Sequence, residues 1–419
     1  MNTLYNIILT IGEVFLKLTD SLSFMLSPNS KLRKSAEGQQ HLLQKIAKDF
    51  PIDKKENIIW VHAASLGEYG VARPIIKKLR QEHGYSIVLT FFSSTGYETL
   101  HRYHPEVDYV YYLPLDTRRN VVSFLDTIRP QKAVFIISEY WMNYLHELKA
   151  RGIPTYLVSA IINQHSPFFR WYGSIFSRSL NAYTHFMVLN ETSRNNLMKL
   201  GHNNLTVTGD PLFDNAIAVA STSWQNPIIE EFAKQGDLFI AGSISDRKDT
   251  DLICSLANKH KNVHFIIVPH EICEESLNAI KFSLDGHALC YSECDGNTDF
   301  SNTQVLIIDF LGALAYLYRY GRWAYVGGGF TPYLHSIIEA TVYGLPVAFG
   351  PQIQRKVTPN ELIRLGIGSI VRSPRDLNQW FTALKGNKPA LENIRETAKE
   401  YTRQNSGATS HIVRLLMQA

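Results

Sequence analysis

Short apolar runs alternate with amphipathic stretches from residue 57 onward. Runs such as "IIWVHA" (58–63) are apolar on both faces, which is typical of buried parallel strands. The segments between them, such as "GVARPIIKKLRQEHG" (70–84), have the length and spacing of helices. This alternation predicts an α/β fold built on parallel sheets. Strands are predicted at 58–63, 85–92, 107–113, 132–137, 154–160 and 185–190, and again at 238–243, 263–269, 287–292, 303–309, 323–328 and 345–350.

The interval between the two sets of predicted strands indicates a boundary between two domains. A length of 419 residues exceeds what one ordinary core requires, so two domains are expected. We predict doubly wound, Rossmann-like domains at 36–214 and 237–386, joined by a linker at 215–236. The helical segment 387–419 is predicted to pack back on the first domain.

The N-terminal region, residues 1–35, has its own pattern. Its apolar run "TLYNIILTIGEVFLKLTDSLSFML" is interrupted by Glu13, Lys17 and Asp20. A membrane-spanning helix needs about 20 apolar residues with few or no charges, so these charges favour an amphipathic helix lying in the membrane interface. The basic "KLRK" (31–34) would favour an anionic leaflet. We predict a membrane-docking helix here, and the alternative is an amphipathic helix packed on its own domain.

Composition and charge narrow the possible partners. The chain is 45% hydrophobic and 19% charged, as globular proteins with large cores are. Its net charge of +4 suits anionic ligands or an anionic membrane surface, but is too small to indicate a nucleic-acid partner. The four cysteines form no C-x-x-C pair, so we expect reduced thiols and no zinc site.

Carboxylates follow two predicted strands of the first domain. In doubly wound sheets ligands bind beyond the carboxyl ends of the strands, which is where Glu68 and Glu139 fall. Paired carboxylates at a cleft are candidates for general-base work and for orienting a substrate hydroxyl. Two alternatives stay open: Glu68 could complete a capping box with Ser65, and Glu139 could form a salt bridge across the sheet.

Two turns of the second domain suit a phosphate. "AGSIS" (241–245) and "VGGGF" (326–330) place small residues between a strand and a presumed helix, where backbone N–H groups and the helix dipole favour an anion. The alternative is glycine needed only for tight packing. His335 and Glu339 are spaced i, i+4, which on one helix face could hold a ribose or phosphate.

Two other motifs are discounted. "DTD" (249–251) resembles a metal-binding D-x-D motif, but it opens a predicted helix, where acidic residues serve the dipole. His62 and Ser65 suggest a hydrolase, but the chain has no G-x-S-x-G elbow.

An ordered set of segments resembles the 3-deoxy-D-manno-octulosonic acid (Kdo) transferases of lipid A assembly. The resemblance implies the GT-B fold, in which two Rossmann-like domains face each other across a cleft. It also implies transfer of Kdo from CMP-Kdo to a lipid A precursor on the cytoplasmic side of the inner membrane, without a catalytic metal or other cofactor. The segments are "WVHAASLGEYGVARPIIKKLR", "TFFSSTGYE", "YYLPLDT", "SEYWMNYL", "PFFRWYG", "VTGDPLFD", "IIDFLGALAYLYRYGRWAYVGGGF" and "HSIIEATVYGLPVAFGP".

The resemblance assigns roles to matching positions. Glu68 matches the presumed general base of the family's S-x-G-E motif, and Glu139 matches a second glutamate that helps to hold the acceptor. The other acceptor-binding positions are Ser65, Gly67, Ser94, Gly96 and Trp141. The donor-binding positions are Ser243, His270, Asp309, Gly312, Gly327, Gly328, His335, Glu339 and Asn360.

The chain also departs from the family's pattern. "INQH" (162–165) stands where the family usually has an arginine, and Glu271 stands where a basic residue is usual. "TPY" (331–333) replaces a Gly-rich run, and Ser336 replaces the common Asn. Such changes are compatible with two alternatives: a GT-B transferase with another activated sugar or acceptor, and a catalytically silent, membrane-docked homologue.

Overall fold

A computed structural model describes residues 5–6, 9, 31–50, 57–101, 105–171, 173–354 and 356–418. They form two compact α/β units. The first unit extends to Asn215 and includes Ser406–Ala419, and the second is Ala216–Asn405. Each unit contains one parallel sheet of seven strands, so the predicted α/β class is confirmed.

The sheet of the first unit has the strand order β3-β2-β1-β4-β5-β6-β7. The direction of winding reverses between β1 and β4, which is the switch point where doubly wound sheets bind ligands. Its strands are β1 (Ile58–His62), β2 (Ser86–Phe91), β3 (Tyr109–Tyr112), β4 (Lys132–Ile136), β5 (Thr155–Ala160), β6 (His185–Val188) and β7 (Leu205–Val207). Its helices are α1 (Lys31–Gln39), α2 (Leu42–Asp49), α3 (Leu66–His83), α4 (Ser94–Leu100), α5 (Arg118–Ile128), α6 (Met142–Ala150), α7 (Ser174–Leu180) and α8 (Glu191–Lys199).

Side chains of β1 alternate between two cores, one on each face of the sheet. On one face the Trp60 ring packs against Phe124, Phe135 and Tyr144 at centroid distances of 5.1, 5.1 and 5.2 Å. On the other face Val61 packs in the core that includes the buried side of α3. Burial on both faces is the reason for the unbroken apolar run.

The second sheet has the order β10-β11-β9-β8-β12-β13-β14, with its switch point between β8 and β12. Its strands are β8 (Leu238–Ile244), β9 (His264–Pro269), β10 (Ala288–Cys290), β11 (Val305–Ile307), β12 (Gly321–Val326), β13 (Val347–Phe349) and β14 (Gly368–Ile370). The remaining helices are α9 (Pro211–Ser221), α10 (Pro227–Ala233), α11 (Arg247–Lys259), α12 (Glu274–Phe282), α13 (Leu314–Leu317), α14 (Ile338–Thr341), α15 (Val357–Arg364), α16 (Pro374–Leu384), α17 (Lys388–Gln404) and α18 (Ala408–Met417).

The C-terminal helix α18 belongs to the first unit. Its Ile412, Val413 and Leu416 are buried in the core that contains α3. Asp214 accepts hydrogen bonds from the backbone N–H groups of Gly407 and Thr409, both at 2.6 Å, and so fixes the start of the helix. The preceding helix α17 lies in the second unit, so the chain returns at residue 406 and not at the predicted 387.

The stretch 215–236, predicted as a linker, contains α10 and most of α9. Most of the predicted docking helix at 1–35 lies outside the described residues, so that prediction stays open. Within the described part of the chain, no helix is long and apolar enough to cross a membrane.

Candidate active site

The turn from β1 into α3 carries the first carboxylate. Ser65 is the N-cap of α3, with extended backbone angles, and its hydroxyl accepts the Glu68 N–H at 3.4 Å. The Glu68 carboxylate in turn accepts the Ala64 N–H at 2.5 Å. This arrangement is close to a capping box, except that the carboxylate bonds one residue before the N-cap. The capping alternative is therefore realised in the structure, and it holds the Glu68 carboxylate at the N-terminus of α3.

The second carboxylate follows β4. Ile137 has a φ of 65°, which is rare for a β-branched residue, and the Ser138 N–H donates to the Ile136 carbonyl at 2.9 Å. This sharp turn delivers Glu139 to the strand end, where it is 6% exposed. Its carboxylate accepts the indole N–H of Trp141, and its backbone carbonyl accepts the hydroxyl of Tyr183.

A buried histidine joins the two strand ends. His62 Nδ1 lies 2.9 Å from Thr90 Oγ1 and 3.1 Å from the Thr90 carbonyl oxygen on β2. Its Nε2 lies 3.3 Å from Glu139 Oε2, although the angles there fall short of a good hydrogen bond. Because a carboxylate oxygen only accepts unless it is protonated, a proton must lie between Nε2 and Oε2 for the contact to be favourable. The predicted salt-bridge alternative for Glu139 therefore stays open, with His62 as the partner within ion-pair distance.

These neighbours determine the electrostatics of Glu68. Burial and, as the second cause, the negative charge of Glu139 together raise its pKa from the ordinary 4.5 to about 7. The Ala64 N–H and His62 act in the opposite direction and are the smaller effects. A carboxylate with a pKa near neutrality is suited to accept a proton from a substrate hydroxyl.

The predicted acceptor-binding residues lie in or beside the turns after β1, β2 and β4, which are neighbours in the sheet. Ser94 is buried in the first turn of α4, and Gly96 packs on the Phe91 ring. The Trp141 ring lies 5.3 Å from the half-exposed ring of Phe92. Gly67 is exposed, and a Cβ at this position would lie 3.8 Å from the nearest atom, Ser65 Oγ. The structure therefore places these residues after three neighbouring strands, of which β1 and β4 flank the switch point.

In the second unit, the turns after β8 and β12 pack closely. A Cβ on Gly327 would lie 2.2 Å from the Ser243 carbonyl oxygen, so only glycine fits. The Gly327 N–H donates to the Gly242 carbonyl at 3.0 Å, and the Gly328 N–H donates to Asp249 at 2.9 Å. These two N–H groups are engaged within the unit, which favours the packing interpretation of the glycines over phosphate binding by their N–H groups.

Two histidines meet beside these turns. The rings of His270 and His335 are 4.2 Å apart. Burial, together with the neighbouring His270 and Lys356, lowers the pKa of His335 to about 4. The expected helical pair of His335 and Glu339 is wrong: α14 begins at Ile338, and the His335 N–H instead donates to the Gly327 carbonyl at 3.2 Å. Burial raises the pKa of the Glu339 carboxyl to about 7.

The other predicted donor-binding residues, Asp309, Asn360 and Gly312, lie in other loops and helices of the second unit. Asp309 accepts the Ser292 N–H at 3.0 Å and the Ser292 hydroxyl. The Asn360 side chain donates to the carbonyls of Ile353 and Lys356, at 3.2 and 2.5 Å, and so holds the segment that carries Lys356. Gly312 has a φ of 91° and is exposed.

Sequence reasoning missed the roles of His62 and Asp249. The local sequence around His62 suggests only a hydrolase, and the contact of His62 with Glu139 arises from strand pairing that the local sequence does not reveal. Asp249 is fully buried, and its carboxylate has four hydrogen-bond donors, so its role goes beyond the helix dipole.

Among the described residues, no cluster of three or more His, Cys, Asp or Glu side chains could hold a metal ion.

Comparison with known proteins bears on the predicted resemblance. Residues 39–215 match the family model described as 3-deoxy-D-manno-octulosonic-acid transferase (kdotransferase). The chain is 25% identical over 383 residues to the 3-deoxy-D-manno-octulosonic acid transferase of Haemophilus influenzae. That alignment covers 85% of this chain and 86% of the Haemophilus protein. It is 24% identical over 369 residues to a bifunctional glycosyltransferase/methyltransferase of Fusobacterium nucleatum, covering 85% of this chain and 57% of that protein's length.

The fold is also similar to solved structures. The UDP-GlcNAc 2-epimerase from Neisseria meningitidis bound to UDP-GlcNAc has a TM-score of 0.61 and 16% identity, covering 86% of this chain and 99% of that one. At this identity the likeness shows the fold alone, which is GT-B-like. The family and relative matches confirm the predicted resemblance to the Kdo transferases and show that the protein is a glycosyltransferase.

Proposed function

We propose that this glycosyltransferase, a relative of the Kdo transferases, transfers Kdo from CMP-Kdo to a lipid A precursor of the lipid IVA type in lipopolysaccharide synthesis. The reaction is of the inverting type, with Glu68 as general base, and requires no metal or other cofactor. The family match at 39–215 and the relatives' names support Kdo as the transferred sugar, and the choice of CMP-Kdo as donor and of a lipid A precursor as acceptor follows from the resemblance described above.

The environment of Glu68 is the observation that carries the proposal. Attack on the anomeric carbon requires a base that removes the proton of the acceptor hydroxyl as the new bond forms. Glu68 is held by the Ala64 N–H, and its pKa of about 7 lets it be deprotonated at neutral pH while still binding a proton well. A fixed orientation and a matched pKa are the two requirements for a general base.

Glu139 and His62 support the base. His62 Nε2 lies 3.3 Å from Glu139 Oε2, and His62 acts against the rise that Glu139 causes in the pKa of Glu68. Trp141 donates to Glu139 and fixes its orientation, leaving the carboxylate able to bind an acceptor hydroxyl. In this assignment Glu139 and Trp141 hold the acceptor, and Glu68 takes its proton.

The second unit is assigned to the donor. The departing CMP carries a phosphate, whose developing charge is stabilised by donors and cations. His270 and His335 offer ring N–H donors, and burial lowers the pKa of the nearby Lys356 ammonium. Lys356 belongs to the stretch "QIQRKVTPNE" (352–361). We assign to Lys356 the role of the basic residue that the family usually has at the position of Glu271, which is to stabilise the charge of the departing phosphate.

The membrane surface is the proposed place of the reaction, because the acceptor is a lipid. The N-terminal segment 1–35 would dock on the cytoplasmic face of the inner membrane, as a peripheral or N-terminal anchor. Removal of residues 1–30 should release the protein from anionic vesicles in a sedimentation assay. Unchanged sedimentation would contradict docking by this segment.

A donor panel tests the proposed function. Purified protein is given a lipid A precursor with CMP-Kdo or with each of several UDP-sugars, and the product mass is measured. We expect Kdo addition with CMP-Kdo alone. Turnover of a UDP-sugar without turnover of CMP-Kdo would support the other-donor alternative. Failure to restore growth of a strain that lacks its Kdo transferase would support the silent homologue.

A further inference from the structure

Asp249 is a fully buried carboxylate in the first turn of α11. It accepts hydrogen bonds from the Ser245 N–H and hydroxyl, both at 3.1 Å, from the Gly328 N–H at 2.9 Å and from the Tyr325 hydroxyl at 2.5 Å. All four donors are uncharged. A buried carboxylate is costly without such donors, so this side chain and its neighbours fix one another.

The donors belong to two different turns. Ser245 directly follows β8, and Gly328 follows β12, the two strands that flank the switch point of the second sheet. Asp249 also packs closely on the turn after β12, because a Cβ on Gly327 would lie 2.7 Å from Asp249 Oδ2. Asp249 therefore joins the two turns at the place where a doubly wound sheet binds its ligand.

Each turn holds one member of the histidine pair through the backbone. The His270 N–H donates to the Ile244 carbonyl at 2.8 Å, beside Ser245. The His335 N–H donates to the Gly327 carbonyl at 3.2 Å, beside Gly328. The 4.2 Å distance between the two rings thus depends on the relative position of two turns that Asp249 connects.

We propose that Asp249 is a positioning residue that holds His270 and His335 in register for the phosphate of a nucleotide-linked sugar. This inference rests on the proposed function, which assigns the histidines to the donor. Asp249 touches neither the donor nor the acceptor. It acts by keeping together the two turns that bind the histidine backbones, so its loss affects donor binding and leaves acceptor binding unchanged.

Asp249→Asn tests this role with little change in shape. A neutral amide oxygen binds the three donors at the Oδ2 position less strongly than a carboxylate does, and the NH₂ group takes the place to which the Tyr325 hydroxyl donates, which loosens the contact between the turns. Asp251→Asn is the matched control, because Asp251 lies on the same helix with a side chain that is 55% exposed. Tyr325→Phe removes a single donor and serves as a milder second variant if Asp249→Asn fails to fold.

The measurements are calorimetric binding of CMP and the KM values for CMP-Kdo and for the lipid acceptor. We expect Asp249→Asn to weaken CMP binding and to raise the donor KM by about tenfold or more, Tyr325→Phe by several-fold, and Asp251→Asn by less than twofold. The acceptor KM should not change. Wild-type affinity for CMP in a folded Asp249→Asn or Tyr325→Phe variant would overturn the positioning role. Absence of CMP binding by the wild-type protein would instead overturn the proposed function.

Discussion

At the residue scale, the capping and catalytic interpretations of Glu68 turn out to be compatible. The cap bond to Ala64 fixes the side chain, and burial with the nearby Glu139 raises its pKa to about 7. The sequence predicted both interpretations from the spacing to Ser65 and the position after a strand. It could not predict the contact of His62 with Glu139, because that contact depends on how β1 pairs with β4.

The raised pKa of Glu68 has a consequence for stability. The folded state binds the proton more tightly than the unfolded state does, since the pKa is about 7 when folded against an ordinary 4.5. Its stabilising contribution is therefore complete below pH 4.5 and is lost as the pH rises through about 7. We expect Glu68→Gln to be more stable relative to wild type at pH 8 than at pH 5, as measured by denaturant unfolding. An equal difference at both pH values would contradict the raised pKa.

The same pKa predicts the pH dependence of catalysis. A general base works when deprotonated, so kcat/KM should rise with pH and level off above about 7. Because the charge of Glu139 contributes to the raised pKa, Glu139→Gln should shift this rise to lower pH, besides lowering the rate. A rise at the same pH in both proteins would show that Glu139 does not act on Glu68.

At the scale of elements, the predicted strands are found because burial on both faces leaves a continuous apolar run in the sequence. Two strands were missed, β7 and β14, each three residues long and at the edge of its sheet. Such short, partly buried strands carry no clear pattern. The helix expected to carry both His335 and Glu339 was wrong because a tertiary bond from His335 to Gly327 holds that residue outside α14.

Two glycines near the starts of helices, Gly96 and Gly67, differ in the space around them, so their substitution can distinguish a packing role from a binding role. A Cβ at Gly96 would lie 2.5 Å from Phe91 Cδ1, so Gly96→Ala should lower the free energy of unfolding by about 1–3 kcal/mol. Gly67 has open space, so Gly67→Ala should leave stability unchanged or raise it by up to about 1 kcal/mol. If the acceptor approaches the Gly67 backbone as proposed, Gly67→Ala should still raise the acceptor KM. An unchanged acceptor KM would remove Gly67 from the binding site.

At the scale of the whole molecule, the order of motifs along the chain was the most informative part of the sequence. It predicted the family resemblance that the matches to the Kdo transferases confirm. The return of the chain to the first unit at residue 406 was harder to place, because α17 and α18 are both amphipathic and adjacent. Only tertiary packing distinguishes the unit to which each helix belongs.

This return makes α18 part of the core of the first unit. Ile412 is fully buried against that core, so Ile412→Ala should cost about 2–5 kcal/mol of unfolding free energy. Arg414→Ala on the exposed side of the same helix should change it by less than about 0.5 kcal/mol. Hydrogen exchange should show the lost protection in α3 and its sheet, with the second unit unaffected. Equal effects of the two substitutions would contradict this packing.

The role of Glu68 as general base in Kdo transfer is tested most directly by measuring product formation from CMP-Kdo and a lipid A precursor by mass spectrometry. Glu82→Gln is the matched control, since Glu82 lies on the same helix with a side chain that is 53% exposed. The wild-type and Glu82→Gln proteins should form the Kdo-bearing product at similar rates. Glu68→Gln should be folded and slower by at least about 100-fold. Product formation by folded Glu68→Gln at the wild-type rate would contradict the account.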